Sequence, residues 1–482
     1  MVDVVIIGCG IVGAAAAYEL SRYKLNITVL ERENDVAMGS TKANSAVIHA
    51  GYDPEPGSLM ARLNAEGARL ADELCDKLDI PHKHCGALVL AFSKREELLL
   101  ERLLQNGIKN GVPDLRILPR ELVLEMEPNL SGEVAAALHV PSTMVVDPWE
   151  YTLALAETAV RNGAEIRLEC PAEGITRIPG GYRIHTGKGD VEARTVINAA
   201  GLYADKIHNM VSEPAFTIMP VKGEYYLLDK NEGARISQVI FQCPTEEGKG
   251  VLVAPTVHGN LIAGPNYVPS KDCGDFATTA GGLAFVMKTA RKSVPEINFD
   301  ANIRNFAGNR AISDYNDFII SEAKGAKGFI DLAGIKSPGL SAAPAIAKMA
   351  AGLLTAAGLH LTLKDNFVDK RKRIRFLELT PDERKALVAA DPAYGQVICR
   401  CETVTEGEIR DALQSPVPPR SIDGVKRRRG AGMGRCQGGF CGPRVLELLA
   451  AHYKRHFTEV LQDGAGSHVL VSETKRNPLC MN

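Results

Sequence analysis

The stretch Val2-Asp3-Val4-Val5-Ile6-Ile7-Gly8-Cys9-Gly10-Ile11-Val12-Gly13 decides the fold. Its first six residues form a β-branched run suited to a parallel strand covered on both faces. An Ala-rich segment then reads as a helix to about Tyr23, and a second strand over residues 26–30 ends at Glu31. Each glycine between strand and helix has its own task. Gly8 permits the tight turn, Gly10 lets backbone approach a pyrophosphate, and Gly13 lets helix and strand pack closely. Ile11 and Val12 open a helix whose N-terminal N–H groups and positive dipole end face those phosphates. Glu31, followed by Arg32, is placed to accept hydrogen bonds from a ribose hydroxyl. The unit as a whole predicts dinucleotide binding.

Two later segments match this start. Residues 191–199 read as strand, and Asn198-Ala199-Ala200-Gly201 closes it with small residues. Leu332-Ala333-Gly334-Ile335-Lys336-Ser337-Pro338-Gly339-Leu340-Ser341 precedes an Ala-rich helix expected over 343–357. That helix would point a second positive end at an anionic or electron-rich group. Between these pieces the pattern changes to alternating strands: 87–92, 223–229, and 250–265 with a His258-Gly259-Asn260 turn. The expected fold is therefore α/β plus α+β. A Rossmann-like domain over 1–363 is interrupted by an antiparallel-sheet substrate domain at about 78–145 and 215–310. A small helical four-cysteine domain follows.

Composition bounds the function. The chain has 482 residues, 56 Lys+Arg against 58 Asp+Glu, 45% hydrophobic and 24% charged residues. These values fit a multidomain globular protein and exclude a disordered, collagen-like or disulfide-stapled chain. A net charge of −2 argues against nucleic acid as the partner. The apolar residues 4–20 lack a basic flank, follow Asp3 and are interrupted by glycines, so they fit neither a signal peptide nor a membrane span. A cytoplasmic location without an integral span is expected, with peripheral membrane contact only through a partner.

Residues 364–394 are read as a basic linker, including Asp369-Lys370-Arg371-Lys372-Arg373, that is solvated or docks a partner. A short helix starts at Thr380-Pro381-Asp382-Glu383 with a capping box. Four of the 11 cysteines then fall together: Cys399 and Cys401 as C-x-C, Cys436 and Cys441 as C-x4-C. Thr405 with Glu408 can cap a helix between the pairs, and Pro443 can start one after them. Residues 395–456 thus form a thiolate cage for a [2Fe-2S] cluster or structural zinc, with 457–482 as a tail. The C-x-C spacing and the crowding of Gly430, Gly432, Gly434, Gly438, Gly439 and Gly442 favour the cluster over zinc or unligated thiols. Cys9, Cys75, Cys85, Cys170, Cys243, Cys273 and Cys480 are read as isolated thiols.

At these motifs the chain resembles known families. Residues 1 to about 360 are similar to FAD-dependent oxidoreductases of the D-amino-acid oxidase type. Ser40-Thr41-Lys42-Ala43-Asn44-Ser45-Ala46-Val47-Ile48-His49-Ala50-Gly51 resembles the glycerol-3-phosphate and L-2-hydroxyglutarate dehydrogenases. The segments around Cys399-Arg400-Cys401-Glu402 and Gly432 to Cys441 resemble the bacterioferritin-associated-ferredoxin-like [2Fe-2S] domain. Together they resemble the large subunits of anaerobic-type glycerol-3-phosphate dehydrogenases. The resemblance implies FAD at Gly8, Gly10, Ile11, Val12 and Gly13, with Glu31 and Arg32 at the adenosine ribose. It puts Ser40, Thr41, Asn44 and Ser45 along the flavin and pyrophosphate, Gly201 beside the cofactor, and Gly339, Leu340 and Ser341 at the flavin pyrimidine edge.

The same resemblance implies a substrate site. Arg310 would hold a substrate anion, Lys336 would hold it or polarise the hydroxyl, and His49 would act as base. Lys222 and Tyr226 would cover the flavin from the inserted sheet. Each has a plainer alternative: flavin packing or attachment for His49, a surface salt bridge for Lys222, pairing with Asp314 or Asp317 for Arg310. The expected reaction is oxidation of a small anionic secondary alcohol, glycerol 3-phosphate first and L-2-hydroxyglutarate second. Electrons would leave through the cluster to a partner subunit or quinone-linked protein. An amine or imino-acid dehydrogenase, and a non-catalytic electron-transfer or zinc-stabilised subunit, are the rival readings.

Overall fold

The structure, a computed structural model, describes residues 1–244 and 250–472. Cys480 and the end of the tail lie outside the described residues. Two compact units emerge: Met1–Arg32 with Val36–Lys372, and Glu33–Asp35 with Arg373 onward.

The first unit is built on the opening strand. Val2–Ile7 pairs in parallel with Ile27–Leu30 on one side and Val191–Asn198 on the other. Val191–Asn198 also pairs in parallel with Phe329–Ala333, so the chain returns three times to one sheet. Val4, Val5 and Ile6 are fully buried, as strands covered on both faces require. The helix Ile11–Leu20 runs back over the sheet and packs against Gly339–Ala356, which in turn packs against Leu59–Lys77. Gly339–Ala356 is long and apolar enough to cross a membrane, yet 61% of it is buried inside the protein, as a core helix would be. It begins four residues before the expected 343, with Pro344 inside it.

A nine-stranded sheet forms the inserted layer. Its longest pair is Ile218–Leu228 against Asn302–Ser313, antiparallel and running in register from Ile218↔Ser313 to Leu227↔Arg304. The expected hairpin is present as Leu252–Pro255 and Leu261–Gly264. The sheet is not wholly antiparallel: Val239–Gln242 and Ala87–Ala91 pair in parallel, joining the two inserted segments edge to edge. A small sheet orders Val47–Ile48, Met144–Val146 and His82–His84, with Met144–Val146 in the middle.

Within the basic run Lys370 and Lys372 are exposed, and Arg371 alone departs from the expectation of a solvated linker. Arg371 is only 4% exposed and ion-pairs with Glu150 at 2.6 Å and Glu157 at 2.7 Å. Two carboxylates on the helix Pro148–Arg161 thus neutralise it.

In the second unit the expected helices form at Pro381–Ala390, Glu406–Leu413 and Gly442–Tyr453. Both expected capping boxes are present, at Thr380/Glu383 and Thr405/Glu408. A further helix, Ile422–Arg429, was not foreseen. Its Arg427 and Arg428 are buried on Asp35, with Arg428 bidentate at 2.8 Å to each carboxylate oxygen. Two guanidiniums on one carboxylate hold the Asp35 carboxyl below its usual range despite the opposing effect of burial.

Candidate active site and cluster cage

The nucleotide turn is closed by sterics that leave room only for glycine. A Cβ on Gly13 would lie 2.0 Å from the Gly8 carbonyl oxygen, and one on Gly8 would meet the Ala199 oxygen at 2.6 Å. Gly8 also has φ +99°, in the left-handed region. Strand, turn and helix are therefore in contact through backbone, which is what a pyrophosphate approaching the helix end needs. Thr41 Oγ1 accepts from Ile11 N at 3.0 Å, placing the Ser40–Lys42 turn against the same helix end. Glu31 is buried and accepts from Cys9 N at 2.7 Å, which fixes its carboxylate at the end of its strand. Arg32 stacks on the Tyr203 ring, 4.1 Å from its centroid, beside Gly201. These residues fit an adenine dinucleotide.

The loop after Gly39 crosses to the inserted sheet. Ser40 Oγ donates to Asn309 O, and a Cβ on Gly308 would strike Ala43 O, so that strand lies directly on the loop. Asn44 braces the turn, donating to Thr41 O and accepting from Ala46 N, each at 2.8 Å. Trp149 Nε1 donates to Lys42 O at 3.1 Å, a support that the sequence did not flag. At its end, His49 N donates to Ser341 Oγ at 2.8 Å. The His49 Nε2 lies 3.4 Å from Ser337 Oγ, and its ring is 5.7 Å from that of Phe241. Lys336 sits in the same turn, its carbonyl accepting from Gly339 N at 2.7 Å. His49, Lys336, Gly339, Leu340 and Ser341 are thus gathered at one helix start.

Alternation along Ile218–Leu228 sorts the remaining residues. Tyr225 Oη is 3.4 Å from Ser45 Oγ, so Val221, Gly223 and Tyr225 face the loop. Arg310, opposite Val221, shares that face, as does Phe306, stacked on Tyr225 at 4.7 Å. Arg310 Nη2 donates to Asn266 O at 3.2 Å, and Arg310 has no ion-pair partner among the described residues. Asp314 instead accepts from Thr217 N, and Asp317 from Leu59 N and Met60 N.

Lys222 and Tyr226 point the other way. Lys222 is buried and bound to Asp275 at 2.6 Å and Ala277 O at 2.9 Å. Tyr226 packs edge-on against Phe299 in the far core, where burial pushes its phenol up. Tyr225, and not Tyr226, shares the face of Ser45 and Arg310. The period of two would have found it, had Arg310 been used to choose the face.

In the second unit the four cysteines meet. Cys401 Sγ and Cys436 Sγ are 3.7 Å apart, and the Cys441 thiol lies close enough to Cys399 to bear on its ionisation. That neighbour, with the N–H groups of Gly432 and Glu402, holds the Cys399 thiol below its usual range against the effect of burial. A Cβ on Gly434 would lie 2.3 Å from Cys401 Cβ, so the loop can close only over glycine. Backbone N–H groups of Gly438 and Phe440 are directed at Cys436. Four thiols with amide donors around them fit an iron–sulfur cluster, whose sulfurs accept such bonds.

Comparison with known proteins covers both units. Residues 3–353 match the model for FAD dependent oxidoreductases, and residues 397–451 the model for BFD-like [2Fe-2S] binding domains. A glycerol 3-phosphate dehydrogenase of Caloramator mitchellensis is 50% identical, over 98% of this chain and 99% of its own. A human mitochondrial L-2-hydroxyglutarate dehydrogenase is 34% identical over 55% of this chain and 61% of its own. Among solved structures, the FAD-bound L-alpha-glycerophosphate oxidase of Mycoplasma pneumoniae superposes with a TM-score of 0.74. It is 32% identical, covering 78% of this chain and 99% of that one.

Proposed function

The chain belongs to the FAD dependent oxidoreductases and carries a BFD-like [2Fe-2S] binding domain, and from that premise we propose that it oxidises glycerol 3-phosphate to dihydroxyacetone phosphate. The observation that carries the substrate is the Caloramator relative, which matches through both the flavin unit and the cysteine cage. The L-2-hydroxyglutarate enzyme matches little more than half of the chain. FAD held at Gly8, Gly13, Glu31 and Thr41 supplies a two-electron acceptor, and a [2Fe-2S] cluster on Cys399, Cys401, Cys436 and Cys441 a one-electron carrier to an accepting partner.

The protein's own part is binding, orientation and proton transfer. Arg310 offers a guanidinium on the loop-facing side of the sheet, with no carboxylate to neutralise it among the described residues, and takes the phosphate of the substrate in two hydrogen bonds. Tyr225 and Phe306 form an aromatic wall beside it that excludes water. His49 Nε2 receives the hydroxyl proton, and the tie from its backbone to Ser341 keeps it at the helix start. Lys336, in the same turn, polarises the hydroxyl oxygen. The positive end of Gly339–Ala356 favours electron density arriving next to it. Lys222 and Tyr226 brace the sheet from behind and take no part in the reaction. A cytoplasmic location, with any membrane contact made through the accepting partner, completes the reading.

Anaerobic addition of glycerol 3-phosphate, L-2-hydroxyglutarate, proline or sarcosine tests it. Glycerol 3-phosphate alone should bleach the flavin within turnover time. Bleaching by another of the four, and not by glycerol 3-phosphate, overturns the assignment.

A further inference from the structure

We propose a second metal site in the first unit, formed by Asp72, His82 and His84 and suited to a divalent transition metal of the zinc class. Asp72 lies on the helix Leu59–Lys77, and both histidines lie on the short strand His82–His84. Residues i and i+2 of a strand project on the same side, so both imidazoles face the helix. Their ligand atoms and that of Asp72 all fall within 4.8 Å of one another. None of the three residues serves the cofactor or substrate sites.

The polar bonding around the group leaves the ligand atoms turned inward. His82 Nδ1 is 2.9 Å from the Ile80 carbonyl oxygen, which can only accept, so Nδ1 donates there and Nε2 is the nitrogen left to face a metal. This is the outer-shell bond that sets a metal-binding tautomer. His84 Nε2 lies 2.9 Å from Asp72 Oδ1. That oxygen is buried, yet no hydrogen bond of acceptable geometry reaches it. The contact lies off hydrogen-bond geometry, so the buried Asp72 oxygen is left without a donor, a deficit that a cation would satisfy. Two imidazoles with one carboxylate match zinc, with water completing the tetrahedron, better than calcium or magnesium, which prefer all-oxygen sites.

Occupation would pin helix to strand. His82–His84 pairs with Met144–Val146, whose other neighbour is Val47–Ile48, the strand that leads into His49. The ion would therefore stiffen a three-stranded sheet at the base of the loop that carries His49.

Zinc content and affinity of the holoenzyme provide the test, with iron content and visible absorption showing that the cysteines remain occupied. Wild type should take up one zinc per chain and gain thermal stability from it. His84→Asn, at a half-exposed position, and His82→Asn should each weaken uptake about tenfold or more. Lowering the pH from neutral to about 5.5 should also weaken uptake, since imidazole must lose its proton to bind. Wild type that binds no zinc, or a His82→Asn/His84→Asn variant with normal flavin absorption and unchanged zinc affinity, overturns the proposal.

Discussion

Arg310 reaches across Gly223: a Cβ placed on that glycine would lie 2.6 Å from the guanidinium Nη2 and 2.7 Å from the Pro265 ring. The absence of a side chain on one strand thus sets the position of the cation on its neighbour. Gly223→Val should displace Arg310 and raise KM for glycerol 3-phosphate. Arg310→Gln should lower kcat/KM by about 10- to 150-fold, the range of a charged hydrogen bond worth ~1.5–3 kcal/mol. Steady-state rates with an artificial acceptor check both. Unchanged flavin absorption would show that the loss lies in substrate binding.

His49→Asn should lower kcat by about 10²- to 10⁴-fold, as removal of a general base does. In wild type kcat/KM should rise with pH as the base loses its proton, and this limb should flatten in the variant. A variant that keeps the limb would reduce His49 to a packing residue.

Gly13→Val should abolish flavin retention rather than slow the reaction. Its added carbons would have to occupy the space of the Gly8 carbonyl, 2.0 Å from the new Cβ. The ratio of visible to ultraviolet absorption after purification measures this directly, and a yellow variant would contradict it.

Asp35→Asn should destabilise the second unit by ~3–5 kcal/mol, because it leaves Arg428 buried without its counter-charge and Arg427 with Asp463 alone. The pH dependence has a definite sign. A carboxylate whose pKa is depressed by folding stabilises the protein above its unfolded value, and that stability is lost as pH falls through the folded value. Wild type should therefore exceed the variant at neutral pH and approach it below about pH 4. Urea unfolding followed by cluster absorption would show this.

Local signals made much of the molecule legible. The strand Val2–Ile7 forms over the residues expected, and both capping boxes start helices where their spacing put them. Each depends on neighbours a few residues away. What escaped depends on distant ones. The run Lys426-Arg427-Arg428-Arg429 carries no local sign of its partner, because Asp35 lies 392 residues from Arg427. Arg371 was misjudged for the same reason, since its carboxylates are at Glu150 and Glu157. The helix expected from 343 starts at Gly339, where its first turn lies against Gly67 of Leu59–Lys77, a contact that propensity does not record. The choice between Tyr225 and Tyr226 needed only one tertiary fact, that Ser45 and Arg310 lie on the same side of the sheet.

That alternation constrains how the gene can change. Between Val221 and Tyr225, losing or gaining a single codon would send Tyr225 into the core and bring Tyr226 out, while Gly223 would no longer lie under Arg310. A two-codon change would preserve sidedness and cost only length. Related sequences should therefore differ in this strand by even numbers of residues or not at all, and an odd difference should be accompanied by a bulge that restores the phase.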